Sequence, residues 1–131
     1  MLRFKQFEAL GYEFYVCLYA DISNSVCFDL VAERNGRKDT LINGCSVADY
    51  ATGIKELIEW RINNFLLLKM LEDFKALTYK LQLCGKIVIR KIDDCINFNG
   101  KDLDVYDFNG DYDAFKKEII NLIKNIAQNT K

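Results

Sequence analysis

Histidine and proline are both absent from this chain of 131 residues, and tryptophan occurs once. Without histidine, neither a Ser–His–Asp triad nor a Cys–His pair can form, and no side chain has an ordinary pKa suited to general base catalysis near neutral pH. A zinc site would need cysteine and carboxylate ligands alone. The composition therefore excludes histidine catalysis and gives no indication of an enzyme.

Glycine-rich phosphate-binding motifs and long apolar runs are also missing. The seven glycines are scattered along the chain, and neither the dinucleotide-binding pattern nor the P-loop pattern occurs among them. Apolar runs such as Phe65–Leu68 fall far short of the ~20 residues that span a bilayer, and no signal sequence is visible. We therefore expect no cofactor, no membrane segment and a soluble protein of the cytoplasm.

Charge is nearly balanced, with 18 basic and 19 acidic residues and a net charge of −1. A chain without a global positive field is not expected to bind nucleic acid or an anionic membrane. The five cysteines include no Cys-x-x-Cys pair, which favours free thiols in a reducing compartment over disulfides or a metal site. The many Lys, Asn and Ile residues, together with the missing Pro and His, suggest an AT-rich coding source, either bacterial or phage.

Alternation of apolar residues predicts strands in the first third of the chain. The segments 12–21 and 26–34 place apolar side chains at every second position, and with the segment that follows they predict a three-stranded antiparallel meander over 12–43. Residues 2–10 have a different pattern, with apolar residues three apart. That spacing puts them on one face of a helix, so we predict a short helical turn before the first strand.

Asn35-Gly36 is the strongest local signal, because both residues tolerate the positive φ of a two-residue type I′ turn. Such a turn places Glu33 opposite Lys38 and Leu30 opposite Leu41. The first pair carries opposite charges, and the second lies on the core face. Both pairings support a hairpin with this register.

A long apolar stripe runs through the middle of the chain with the spacing of a helix. Ser46 is placed to accept hydrogen bonds from the first turn, and the stripe continues to about residue 82. A straight helix of this length would reach ~50 Å, and the stripe changes face at Asn63-Asn64. We therefore predict a helix over 46–82, either continuous or broken near Asn63-Asn64.

The last third predicts more strands and a final helix. Lys86–Ile92 is rich in β-branched residues, and the segments Cys95–Phe98 and Leu103–Phe108 flank a second turn signal, Asn99-Gly100. Asp111, or the glycine before it, then caps a final amphipathic helix, whose apolar face runs from Phe115 to Ile126.

These elements predict an α+β fold. We expect an antiparallel β-sheet, made of a β-meander plus a second hairpin, covered by a long middle helix and a C-terminal helix. The length suits one domain, so residues 1–131 are predicted to form a single α+β domain. The element order resembles that of class I type III secretion chaperones, which are small, acidic, dimeric α/β proteins. That resemblance implies binding to another protein.

Between residues 93 and 113, carboxylates greatly outnumber the one basic residue, Lys101. They are Asp93, Asp94, Asp102, Asp104, Asp107, Asp111 and Asp113. An EF-hand calcium loop needs glycine at position 6 and glutamate at position 12, and neither Gly100 nor Gly110 gives that spacing. The segment therefore fits three interpretations: a solvated hairpin, an irregular Mg²⁺ or Ca²⁺ site, or an acidic docking surface for a basic protein.

Aromatic residues alternate with these carboxylates, and rings beside charges suit a protein interface. Tyr15 and Tyr19 lie on the non-core face of the first strand, where an apolar strip would be either covered or open to a partner. Arg34, Arg37 and Lys38 at the first hairpin tip are expected to be solvated. The candidate partner-binding residues are Asp94, Asp102, Asp104, Asp107, Tyr106, Phe108, Tyr112, Tyr15 and Tyr19.

The leading hypothesis is a non-enzymatic protein-binding module of the immunity-protein or toxin-inhibitor type, which neutralises a partner enzyme such as a basic toxin or nuclease. A phage-encoded inhibitor of a bacterial defence system would need the same kind of surface. Two alternatives stay open. One is a secretion chaperone, and the other is a small metal-dependent enzyme or ligand binder that uses the Asp cluster with Mg²⁺ or Ca²⁺.

Overall fold

The structure is a computed structural model that describes residues 1–50 and 52–129. The chain divides into two compact units, Met1–Phe65 and Leu66–Lys131. Each unit has its own antiparallel sheet, with four strands in the first and three in the second. Together with the helices, these sheets make the chain an α+β protein, as the sequence predicted.

Four consecutive strands form the sheet of the first unit, each antiparallel to the one before it. They are β1 (Leu2–Ala9), β2 (Tyr12–Ala20), β3 (Val26–Arg34) and β4 (Arg37–Ser46). The predicted three-stranded meander is therefore part of a four-stranded one, because an additional strand precedes it.

The predicted helical turn over residues 2–10 is wrong, because this segment forms β1 and pairs with β2. A β-bulge between Lys5 and Phe7 adds one residue to β1, so that Phe4 and Phe7 both lie opposite core-facing residues of β2. A bulged strand thereby shows the spacing of three that a helix also shows. The turn to β2 is Leu10-Gly11, with φ of 55° and 79°, and leucine gives no sign of such a turn.

The predicted Asn35-Gly36 turn is confirmed, with φ of 53° and 76°. The two oppositely charged residues predicted to face each other beside it do so. The predicted pairing of Leu30 with Leu41 is wrong, because the register shifts further along β3 and β4 and brings Ile42 opposite Leu30. Ile42 is therefore the buried, core-facing residue of β4.

Aromatic contacts hold the core face of the first sheet to the helix α1 (Ile54–Leu77). Phe14 has 0% of its surface exposed, and the Phe65 ring of α1 meets the rings of Phe14 and Tyr12 edge-on, at centroid distances of 5.8 and 5.0 Å. Edge-to-face contacts of this kind add to the free energy of apolar burial. Further buried residues of this unit are Val16, Phe28, Leu30, Ala32, Ile58 and Ile62.

Helix α1 begins later than predicted. Ser46 is the last residue of β4 rather than a helix cap, and a short 3₁₀ helix over Ala48–Tyr50 precedes α1. Ser46 lies opposite Cys27 in the sheet, so long-range pairing overrides its preference for a helix terminus. From Ile54 onward, the helix continues through Asn63-Asn64 without interruption.

The interruption of the middle helix lies at Thr78 instead. The buried Thr78 hydroxyl donates to the carbonyl oxygen of Phe74 at 2.6 Å and accepts from the Gln82 side chain at 2.6 Å. The Thr78 side chain thus bonds to residues on both sides of the interruption. The main-chain bonds from the Thr78 amide to the Phe74 oxygen, at 2.9 Å, and from the Gln82 amide to the Thr78 oxygen, at 2.8 Å, are kept. The short helix α2 (Tyr79–Leu83) follows Thr78.

The second unit combines a small sheet with the C-terminal helix. Its elements are β5 (Ile89–Ile92), β6 (Cys95–Phe98), β7 (Lys101–Leu103), a 3₁₀ helix over Val105–Phe108, and α3 (Tyr112–Gln128). Ile96 lies opposite Leu103, as predicted. The core side chains of these strands and of α3 include Ile89, Ile96, Phe98, Phe115, Ile119 and Ile123.

Two aspartates set the boundaries of the last elements. The predicted strand over 103–108 ends at Leu103, because the Asp104 carboxylate accepts from the Tyr106 amide at 3.0 Å and starts the 3₁₀ helix. The Asp111 carboxylate accepts from the Ala114 amide at 3.0 Å and caps α3, as predicted.

Phe14→Ala and Phe115→Ala should each lower the free energy of unfolding by about 3–5 kcal/mol, because each ring is fully buried and its removal leaves a cavity. Urea denaturation followed by circular dichroism measures this, and Phe4→Ala, at a ring 47% exposed, is the control with a much smaller effect. If residues 1–131 form one cooperative domain, both variants shift a single transition. Two transitions, each shifted by one variant, would contradict the single domain.

Candidate functional site

Exposed carboxylates surround the second hairpin and the short helix that follows it. Asp93 and Asp94 form the turn between β5 and β6, where Asp93 has a positive φ of 50°. Asp102 lies on β7, and Asp107 lies in the 3₁₀ helix beside Tyr106, whose side chain is 79% exposed. We define the acidic surface as Asp93, Asp94, Asp102, Asp104, Tyr106 and Asp107.

Some carboxylates of the segment have local structural roles. Asp104 and Asp111 cap the two helices that they precede, and Asp113 lies in the first turn of α3, where a negative charge stabilises the helix terminus. Asp93 occupies a left-handed turn position that Asp tolerates better than most residues. Among the described residues, the side chains of Asp94 and Asp107 make no hydrogen bond, and both are exposed.

Several carboxylates of the acidic surface influence the pKa of one side chain, the Cys95 thiol. Burial raises the pKa of the Cys95 thiol, and the negative charges of Asp104, Asp102 and Asp94 raise it further. The Cys95 sulfur lies 3.9 Å from the Asp104 carboxylate. Three carboxylates contributed by a turn, a strand and a helix cap therefore act on the same thiol.

In the part of the chain that the structure describes, neighbouring cations do not neutralise these carboxylates. Within residues 1–50 and 52–129, no ion pair involves a carboxylate of the acidic surface. The nearby Lys91 ammonium group instead donates to the main-chain carbonyl oxygen of Asp93, at 2.7 Å. Carboxylates without ion-pair partners give an exposed surface a negative electrostatic potential, which is complementary to the positive potential of a basic surface.

Asn97 is a residue of this site that sequence reasoning missed. It is 6% exposed, its amide nitrogen donates to the Asp102 carboxylate at 2.8 Å, and its amide oxygen accepts from the Gly100 amide at 3.2 Å. Asn97 thus orients Asp102 and holds the turn between β6 and β7. The available signal was an asparagine between Ile96 and Phe98, because a polar residue in an apolar strand needs hydrogen-bond partners when buried.

Two of the aromatic residues predicted for the site contribute to packing instead. Tyr112 is only 8% exposed, so its prediction as a partner contact conflicts with its place in the core. Phe108 is half-buried and packs against the Phe115 ring at a centroid distance of 5.5 Å. Tyr106 is the exposed ring among the three, because the 3₁₀ helix directs it away from the core.

Tyr15 and Tyr19 lie in the first unit, and hydrogen bonds engage both hydroxyl groups. Tyr15 donates to the Glu13 carboxylate, and the Arg3 guanidinium lies 3.6 Å from the centroid of the Tyr15 ring. Tyr19 donates to Asp29 Oδ1 at 2.9 Å. Polar contacts therefore surround both tyrosines on this face of the sheet.

Neither a metal-binding cluster nor a membrane-spanning helix is present among residues 1–50 and 52–129. In that part of the chain, no three Cys, Asp or Glu side chains form a group that could hold a metal ion. No helix there combines the length and the apolar character needed to cross a bilayer.

Comparisons with known proteins return no match to any family model, curated protein or solved structure. The element order that resembled the secretion chaperones began with a helix, whereas the chain begins with strand β1. The first element of the chain therefore differs from that of the chaperones. The candidate site is defined by the geometry of its own residues.

Cys95 should be alkylated slowly by iodoacetamide at pH 8, because its raised pKa lowers the fraction of reactive thiolate. Asp94→Asn and Asp102→Asn should each speed this reaction by removing a negative charge. Peptide mass spectrometry gives the rate, and the exposed Cys84 is the internal control. Unchanged Cys95 rates in both variants would show that the carboxylates do not act on this thiol.

Tyr19→Phe should destabilise the protein in a pH-dependent way. The hydrogen bond to Asp29 is the main cause that raises the pKa of Tyr19 above 10.0. The stabilisation is therefore present below pH 10 and is lost as the pH rises through the folded-state pKa. The urea midpoints of the variant and the unchanged protein should differ at pH 8 and converge above pH 10. A constant difference up to pH 11 would contradict this assignment.

Proposed function

We propose that this chain is a non-enzymatic protein-binding module of the immunity-protein or inhibitor type, and that its acidic surface binds a basic patch on a partner enzyme. The observation that carries this proposal is the set of carboxylates around Cys95, which no cation neutralises among the described residues, beside the exposed Tyr106 ring.

The composition of the acidic surface suits recognition of a protein. An exposed tyrosine supplies a large, amphipathic contact that orders at low cost in conformational entropy. Carboxylates around it speed the encounter with a basic partner and disfavour acidic ones. Asp94 and Asp107 are the carboxylates best placed for this role, because neither is committed to a helix cap or a side-chain hydrogen bond in the described structure.

Thiol chemistry receives less support from the same region. Burial is the main cause that raises the pKa of both Cys27 and Cys95, and nearby carboxylates raise it further. A nucleophilic cysteine needs the opposite environment, in which positive charge lowers the pKa. The electrostatics of Cys95 thus favour binding over catalysis at the acidic surface. Cys27 lies on β3 in the first unit, where its own surroundings also disfavour a thiolate.

A toxic nuclease is the partner class that fits this surface best. An enzyme that acts on nucleic acid presents a basic groove to the phosphate backbone of its substrate. An acidic surface can occupy such a groove and exclude the substrate. An inhibitor encoded by a phage would use the same complementarity against a defence enzyme, so both biological settings predict a basic partner and binding that weakens with salt.

Affinity capture with the unchanged chain, followed by surface plasmon resonance on the purified partner, tests the proposal. Asp94→Lys combined with Asp107→Lys should slow association by about tenfold at moderate salt, because these charges steer the encounter. Tyr106→Ala should speed dissociation by about tenfold, because it removes the apolar anchor.

Glu118→Lys is the control, since it makes the charge change of one of these two substitutions at an exposed position of α3 outside the acidic surface. It should leave both rates nearly unchanged. A partner that binds the double lysine variant and the Tyr106→Ala variant as well as it binds the unchanged chain would refute the role of this surface. A partner with an acidic binding face would refute the proposed inhibitor class.

A further inference from the structure

An open cleft of about 550 Å³ lies in the first unit, next to its two tight turns. The turns are Leu10-Gly11 between β1 and β2, and Asn35-Gly36 between β3 and β4. The charged residues that line the cleft are Glu13, Glu33, Arg34, Arg37 and Lys38. A volume of this size falls within the range of ~300–1,000 Å³ that small-molecule sites occupy.

Arg34 is held in place at this cleft. Its guanidinium carbon lies 4.1 Å from the centroid of the Tyr12 ring, and one of its nitrogens lies 3.5 Å from the Leu10 carbonyl oxygen. Gly11 permits this arrangement, because a Cβ there would come within 3.3 Å of the Arg34 side chain. The remaining N–H groups of this guanidinium stay available for a ligand, and their position is preorganised.

The cleft also places like charges opposite each other. Arg34 and Arg37 are direct cross-strand partners beside the Asn35-Gly36 turn. Like charges in this arrangement repel and destabilise a hairpin. Asp39 follows two residues after Arg37, but the ion pairs of the described residues include neither arginine. A bound anion would relieve this repulsion.

The two glutamates of the cleft already have other cations. Glu33 lies opposite Lys38 in the sheet, yet its carboxylate pairs with Arg3 at 2.5 Å. Glu13 lies 3.9 Å from the Lys5 ammonium group. Because β1 supplies the partners of both acids, the three cations of the hairpin remain without a carboxylate partner among residues 1–50 and 52–129.

We propose that this cleft is an anion site that binds the dianionic phosphate group of a small molecule. Arg34 and Arg37 lie opposite each other in the sheet, arginine N–H groups match the oxygens of a phosphate, and Lys38 also lines the cleft. The site belongs to the first unit and uses no residue of the acidic surface. Its failure would leave the protein-binding proposal untouched, and the converse holds as well.

Titration of the ¹⁵N-labelled full chain with sodium pyrophosphate, followed by NMR, tests the site. We expect saturable shifts of the Asn35 and Gly36 amides that sodium chloride at equal ionic strength does not reproduce. Arg37→Gln should weaken binding by about tenfold, because a charge-assisted contact is lost. Arg37→Lys should bind with intermediate affinity. Lys117→Gln, at an exposed position of α3, should bind like the unchanged chain.

Measurements of the urea midpoint distinguish a role of Arg37 in ligand binding from a role in stabilising the fold. Without added anion, Arg37→Gln should unfold at a urea midpoint equal to or above that of the unchanged chain, since it removes a repulsive pair. With pyrophosphate, the unchanged chain should gain more stability than the variant. A markedly lower midpoint for Arg37→Gln without anion would overturn the argument from repulsion.

Two further results would overturn the proposal. Shifts of equal size with chloride would show general screening rather than a site. Tighter binding of single-stranded oligonucleotides that grows with their length would show a nucleic-acid surface that follows the backbone, rather than a cleft for one phosphate group.

Discussion

Both sheets depend on tight two-residue turns in which the backbone enters the left-handed region. Asn35 and Gly36 form such a turn in the first unit, and Asn99 and Gly100 form one in the second, with φ of 50° and 88°. A turn of this kind determines which residues lie opposite each other, and therefore which face each side chain occupies. A slip of one residue would carry Asp102 toward the core, so the acidic surface exists in this register alone.

The same turns place negative charges in one unit and positive charges in the other, a separation that the net charge of the chain does not reveal. A net charge of −1 suggests an electrically neutral protein. Among the described residues, the second unit nevertheless places carboxylates without ion-pair partners around Cys95, and the first unit gathers such cations beside Asn35-Gly36. Turns attract polar residues because their backbone groups and side chains stay solvated. Tight hairpins therefore concentrate the charges of each unit at solvated positions.

The elements that could be predicted are those with local causes. The Asn35-Gly36 and Asn99-Gly100 turns, the Asp111 cap and the amphipathic face of α3 all follow from residues a few positions apart. The elements that could not be predicted depend on distant partners. Residues 2–10 read as a helix because a bulge in β1 mimics helical spacing, and only pairing with β2 distinguishes the two.

The candidate site also has features that could be predicted from the sequence and features that could not. The sequence shows where its carboxylates are concentrated, and Asp94, Asp107 and Tyr106 are indeed exposed. It does not distinguish Tyr106 from Tyr112, because burial of Tyr112 follows from where α3 packs. Nor does it reveal the buried Asn97 that orients Asp102, since that contact crosses from β6 to β7.

The sequence by itself determined that histidine catalysis is excluded, where the Asn35-Gly36 and Asn99-Gly100 turns lie and which residues are apolar, because composition and local backbone preference need no folded context. Only the tertiary structure decided which charges remain unpaired, which tyrosines are buried and where the middle helix ends. Those properties depend on the distances between side chains that are remote in the chain, and such distances exist only after the strands pair and the core closes.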